Sequence, residues 1–231
     1  MNKSTTLWDV PVRIFHWSLL PLLVAAWLLV EYSEAIQDFL AAKDIVFDAM
    51  LWHARCGFVL LFLLLFRVLW GFVGSSSARF ATFVRGPRFV YRYAKTLLQR
   101  ASAQHAGHNP LGAWMVIVLM LLLFVQIASG LFLSDDIAFD GPFYAMVSEN
   151  TEEVMEELHE IIFDLIIAAA ALHISAILFY LSYKKQNLIV PMLTGKTDLP
   201  YENRYPYSLI RPMLVALIAA IPVYWLSHNY W

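Results

Sequence analysis

The chain has 231 residues, 60% hydrophobic and only 15% charged, with a formal net charge of −2, against roughly 45–50% and 25% in an ordinary soluble domain. This balance excludes a soluble globule, leaves no place for a nucleic-acid partner, and marks an all-α integral membrane protein whose natural unit is one helical bundle, a single membrane domain over residues 1–231. Cys56 is the only cysteine, so no disulfide forms within the chain.

Apolar runs of about 20 residues mark membrane-spanning helices, and five are predicted, near 14–32, 53–73, 111–133, 159–183 and 209–227. The first follows Lys3 and Arg13 as a signal peptide would, but it is long and aromatic and has no small-residue cleavage site, so it is read as a retained span; it carries His16. The second opens on His53 and carries Cys56, read as a small core residue, and Gly57. The polar stretch QHAGHNPLG holds His105 and His108 ahead of the third span, with Asn109 as N-cap and Pro110 as the first helical residue. Residues 151–158 (TEEVMEEL) predict a helix start at Thr151 that runs straight into the fourth span, where His159, Asp164 and His173 lie. The fifth run is the weakest, opened by Arg211-Pro212 and interrupted by Pro222, and is read as spanning.

Charge sorts by side. Lys3, Arg13, Arg67, Arg79, Arg85, Arg88, Arg92, Lys95, Arg100, Lys184, Lys185, Lys196, Arg204 and Arg211 fall on one side of the spans, leaving Lys43 and Arg55 for the other. The positive-inside rule then places the N-terminus in the cytoplasm, and five spans place the C-terminus outside. The outward loops are acidic, with Glu31, Glu34, Asp38, Asp44 and Asp48 in the first and Asp135, Asp136, Asp140, Glu149, Glu152, Glu153, Glu156 and Glu157 in the second. They are either a solvated face or a docking surface for a basic or multi-charged partner. In the inward loop 74–110, RFVYRYAKTLLQR predicts an interfacial helix whose cations contact lipid phosphates or the polar end of a membrane-bound ligand.

Histidines inside a bilayer are costly and are functional candidates by default. His159 and His173 are fourteen positions apart, which returns the second to within roughly 40° of the first and about 21 Å further along one helix. Depth pairs each with a histidine of another span: His53 with His159 toward the outside, His16 with His173 toward the cytoplasm. Two pairs of neutral imidazoles suit two haems, each clamped between two axial ligands, and the absence of a CxxCH motif excludes covalent c-type attachment. Each ring needs an acceptor for its second nitrogen; for His159, Glu156, Glu160 and nearby carbonyls are candidates. Gly57, Gly112 and Gly130 either admit a flat macrocycle or allow close helix packing. Asp164 is read as a satisfied structural carboxylate, with Arg55 as one candidate partner, ahead of a proton-relay role; His228 is read as a terminal interfacial residue.

WDVPVRIFHW at 8–17, Trp52-His53, RVLWGFVGSSSARF at 67–80, GHNPLGA at 107–113, the His159/His173 pair and NLIVPMLTGK at 187–196 together resemble the prokaryotic cytochrome b561 family, which includes b-type cytochrome subunits of nickel-iron hydrogenases and formate dehydrogenases. The resemblance covers 8–196 and implies a four-helix core with two b haems, whose ligands carry over as His16, His53, His159 and His173. It implies no particular quinone residues; Arg67 and His108 are the nearest candidates.

The leading expectation is a dihaem cytochrome b that passes electrons between the membrane quinone pool and a periplasmic partner, a c-type cytochrome or an oxidoreductase subunit. The alternatives are a superoxide:quinone oxidoreductase, disfavoured by the acidic outer loops, and the membrane anchor subunit of a hydrogenase. A haem-free channel or transporter would need discontinuous helices or a polar pore stripe, and neither is legible in the sequence.

Overall fold

A computed structural model describes residues 5–99, 106–135, 137, 139–202 and 209–229; Lys3, Arg100, His105, Asp136 and Arg204, all singled out in the sequence, lie outside the described residues. Its helices are α1 (Val10–Glu31), α2 (Ser33–Ala41), α3 (Ala49–Val73), α4 (Phe80–Phe83), α5 (Pro87–Thr96), α6 (Pro110–Gly130), α7 (Glu149–Ser182), α8 (Ile189–Thr194) and α9 (Ile210–Asn229). Among the described residues, α1, α3, α6, α7 and α9 are long and apolar enough to cross a membrane.

Short polar side chains start three of these spans by satisfying helix N–H groups that have no partner within the helix. The Asp9 carboxylate accepts from the Val12 amide at 2.8 Å, Asp48 from Leu51 at 2.9 Å, and Asn109 from Gly112 at 2.9 Å, with Pro110 opening the helix as read from the sequence. The fourth long helix starts earlier than predicted. Ser148 is its N-cap and Glu149 and Glu152 lie in its first turn, while Thr151 is already helical and meets the Ser148 hydroxyl at 3.1 Å. Serine and threonine are both favoured N-caps, Ser148 stands three residues before Thr151, and the acidic residues complement the helix dipole from either start.

The most buried span is α3: α1 lies along it, α6 and α9 also pack on it, and α7 packs along α6. Where α9 crosses α3, Val215 and Ala219 join a core with Phe66, Trp70, Leu7 and Trp8, and Leu226 joins a second with Phe58, Leu64, Leu123 and Ile127. The fifth helix thus runs past Pro222 and packs on both halves of α3. At the end of the bundle that holds the N-terminus, β1 (Thr5–Thr6) pairs antiparallel with β2 (Lys196–Thr197). The basic loop is folded over this end. The Tyr93 hydroxyl meets that of Tyr180 at 2.6 Å, Lys184 Nζ donates to the Gln99 carbonyl at 2.6 Å, and Trp114 Nε1 donates to the Arg85 carbonyl at 2.9 Å.

Candidate functional site

α7 carries His159 and His173, and each faces a histidine from another helix. The ring centres of His53 on α3 and His159 are 6.2 Å apart, and those of His16 on α1 and His173 are 6.3 Å apart. We call these the distal and proximal pairs, by distance from the N-terminal end of the bundle. Given metal–imidazole bonds of about 2 Å and about 1.1 Å from nitrogen to ring centre, two imidazoles trans on one metal have centres roughly 6 Å apart. Both pairs match that separation. Among the described residues no three or more His, Cys, Asp or Glu side chains gather to hold a bare metal ion, so a metal between two histidines needs its other positions filled by a non-protein ligand, and a haem macrocycle fits this donor set.

Hydrogen bonds orient the distal pair. His53 Nδ1 lies 2.9 Å from the Ala26 carbonyl, which can only accept, so this nitrogen carries the proton and Nε2 keeps its lone pair. Ser129 Oγ donates to the Gln126 carbonyl at 3.0 Å and lies 3.0 Å from His159 Nδ1. The single hydroxyl proton is used, so Ser129 accepts from Nδ1–H and again leaves Nε2 free. Glu156 and Glu160, the sequence candidates for this task, point outward on exposed positions; the partner is a fully buried serine on α6. The only hint in the sequence is that Gln126 and Ser129, three apart, interrupt an otherwise apolar helix.

The glycines have different jobs. A Cβ at Gly130 would stand 3.0 Å from the His159 ring, so its absence lets that ring lie against α6. At Gly57, one turn from His53, a Cβ would meet nothing within 4 Å, so helix packing does not require a glycine there. Gly112 lies against the Asn109 cap.

The proximal pair borders a buried polar cluster. Asp9 accepts from Trp70 Nε1 at 2.8 Å and from Ser75 Oγ at 2.5 Å, in addition to its capping bond. Arg67, one turn from Trp70 on α3, is 2% exposed and lies over the Phe80 ring at 4.9 Å; its Nη1 is buried without a hydrogen-bond partner. His108 packs on Phe83 at 4.4 Å and on Trp8 at 4.7 Å, with Nδ1 likewise buried and unpartnered. Desolvation, and then the charges of Arg67, His16 and His173, push the His108 imidazole down to about 3, so it is neutral at physiological pH.

Other sequence candidates stand apart from the pairs. Asp164 is exposed on α7 and has no hydrogen bond or ion pair among the described residues; it is not the satisfied carboxylate expected, because its position faces away from the bundle. Arg55 stacks over Trp52 at 4.6 Å. Cys56 is a half-buried free thiol, and His228 stacks on Tyr224 at 5.2 Å.

A family model described as prokaryotic cytochrome b561 matches residues 7–195. The chain is also 24% identical over 216 residues to a protein of Rhizobium leguminosarum bv. viciae named "Probable Ni/Fe-hydrogenase B-type cytochrome subunit", covering 84% of this chain and 89% of that one. No solved structure matches the chain. The family match takes in α1, α3, α6 and α7 with both histidine pairs, and the chain belongs to the prokaryotic cytochrome b561 family, as a multi-pass b-type cytochrome that transfers electrons in a membrane.

Proposed function

We propose that this chain is a dihaem cytochrome b in which His53 and His159 hold one haem b, His16 and His173 hold another, and electrons pass between the membrane quinone pool and a redox partner at the periplasmic face. The observation that carries the reading is the pair of imidazole separations, 6.2 and 6.3 Å, set on one helix. A haem held by each histidine pair would supply one-electron transfer.

The chain's own residues do the rest. The Ala26 carbonyl and Ser129 hold the Nδ1 protons of the distal ligands, which fixes both rings and presents Nε2 inward. α7 fixes the distance between the pairs, about 21 Å along its axis for fourteen residues. The apolar spans keep bulk water out, which favours electron over proton movement between the two centres.

The distribution of cations supports a cytoplasmic N-terminus in a bacterial inner membrane, with the distal pair toward the periplasm. On that face exposed Ile45, Val46, Ile137 and Met146 stand among acidic side chains, a mixture suited to a protein partner with a basic rim. Similarity to a hydrogenase cytochrome subunit favours an oxidoreductase subunit over a free c-type cytochrome as that partner. The same negative face disfavours superoxide as substrate.

Sealed proteoliposomes of the purified protein test the quinone assignment. A short-chain quinol should reduce both haems within seconds, and impermeant ferricyanide should reoxidise them. Haems that dithionite reduces but neither ubiquinol nor menaquinol analogues reduce would remove the quinone from the reading.

A further inference from the structure

Arg67 is a buried cation with no hydrogen-bonded carboxylate among the described residues. It sits in the membrane-spanning part of α3, 2% exposed, with Nη1 shut off from solvent and from every hydrogen-bond acceptor among the described residues. The neighbouring carboxylate relieves it only in part, by its charge and without a hydrogen bond. Asp9 is taken up by three neutral donors, the Val12 amide, Trp70 Nε1 and Ser75 Oγ, and forms no ion pair with Arg67. A buried guanidinium left in this state is strongly unfavourable, and removing it from water is compensated only by a well-placed anion with matching geometry.

The surroundings form a built site. Gly71, one turn after Arg67, admits the Phe80 ring, which a Cβ at that position would overlap. Phe80 in turn covers one face of the guanidinium and packs edge-on against Phe83 at 5.8 Å, and Phe83 carries His108. The result is a planar fork with a neutral imidazole beside it, both with unused buried nitrogens, at the end of the bundle that holds the proximal pair. Depth agrees: Arg67 lies six residues before the end of α3 and His16 six residues after the start of α1, about 9 Å from the same bundle end on antiparallel neighbours.

We infer that Arg67, with His108 beside it, is the receptor for a carboxylate, a propionate of the haem held by His16 and His173. The inference rests on the dihaem reading. A haem b brings two carboxylates on one edge of its ring, and the free edge of an arginine fork binds a carboxylate with two parallel hydrogen bonds. A quinone carbonyl is neutral and leaves the cation uncompensated, which is why the carboxylate is the better match.

The test uses the full-length protein in detergent, depleted of haem and reloaded either with haem b or with its dimethyl ester, in wild type, Arg67→Gln and Arg67→Lys. In wild type the ester should bind the proximal pair at least about tenfold more weakly than haem b, and in Arg67→Gln this discrimination should vanish, a double-mutant cycle between residue and propionate. Arg67→Lys, which keeps the charge and serves as the folding control, should retain part of it. In redox titrations of the haem-loaded protein Arg67→Gln should lower the proximal midpoint by about 59 mV, a tenfold shift for one electron, because the lost cation favours the reduced iron; the distal midpoint should stay in place. Equal binding of haem and ester by the wild-type proximal pair would overturn the inference, and this comparison needs no variant. So would full discrimination persisting in Arg67→Gln, including the case where only quinol KM rises, which would assign the arginine to the quinone. Wild-type protein that binds no haem would instead remove the dihaem reading itself.

Discussion

Ser129 shows how a residue behind a histidine sets what that histidine can do. Its only proton goes to the Gln126 carbonyl, so it accepts from His159 and keeps that imidazole in one tautomer. Ser129→Ala should weaken haem binding at the distal pair by about 10–100-fold, with the proximal pair unchanged, as read by haem titration of depleted protein. Gly130→Ala places a Cβ 3.0 Å from the same ring, so the ring must shift; the expected outcome is a displaced distal-haem signal in low-temperature spectra with a normal proximal one. That the four histidines meet in two pairs is legible in the sequence because an imidazole is conspicuous in an apolar run and a helix repeat fixes its depth. Ser129 was not, because serine is common in such helices and its partner comes from the way α6 meets α7, a tertiary relation absent from either segment alone. Asp164 failed for the converse reason: sequence places it at a depth, whereas only packing says that it faces outward.

At the scale of elements, Asp9 does the most with one side chain. It caps α1, receives the Trp70 indole of α3 and holds Ser75 in the loop that follows. Asp9→Ala leaves two buried donors and a helix start without an acceptor and should destabilise the bundle by about 2–5 kcal/mol, seen as a lowered unfolding midpoint in detergent. α7 poses a sharper test. One alanine inserted after Ala169 turns His173 by about 100° relative to His159, so the protein should retain one haem and lose the other; two retained haems would mean that α7 does not carry both ligands. The long spans followed from hydropathy because twenty apolar residues have few alternatives in a membrane protein. The small elements did not. α2, α8 and the β1/β2 pair are short, their local propensity is weak, and the contacts that hold β1/β2 join residues about 190 positions apart.

For the whole molecule, the two histidine levels and the uneven distribution of charge suggest a wire with a basic, folded-over end and an acidic, partly apolar end. If the acidic end receives the partner, electron transfer to a cationic c-type cytochrome used as a probe should slow several-fold between about 20 and 200 mM salt, because screening shortens the reach of the attraction. A salt-independent rate would place docking elsewhere. The most direct test of the central claim is the haem-to-protein ratio, with reduced-minus-oxidised spectra, of the wild type and of His53→Ala and His173→Ala. Two haems per chain in the wild type, with each variant keeping one and the two survivors differing in spectrum, is the predicted result. Well-folded wild type with no haem, or variants that both keep two, would contradict it.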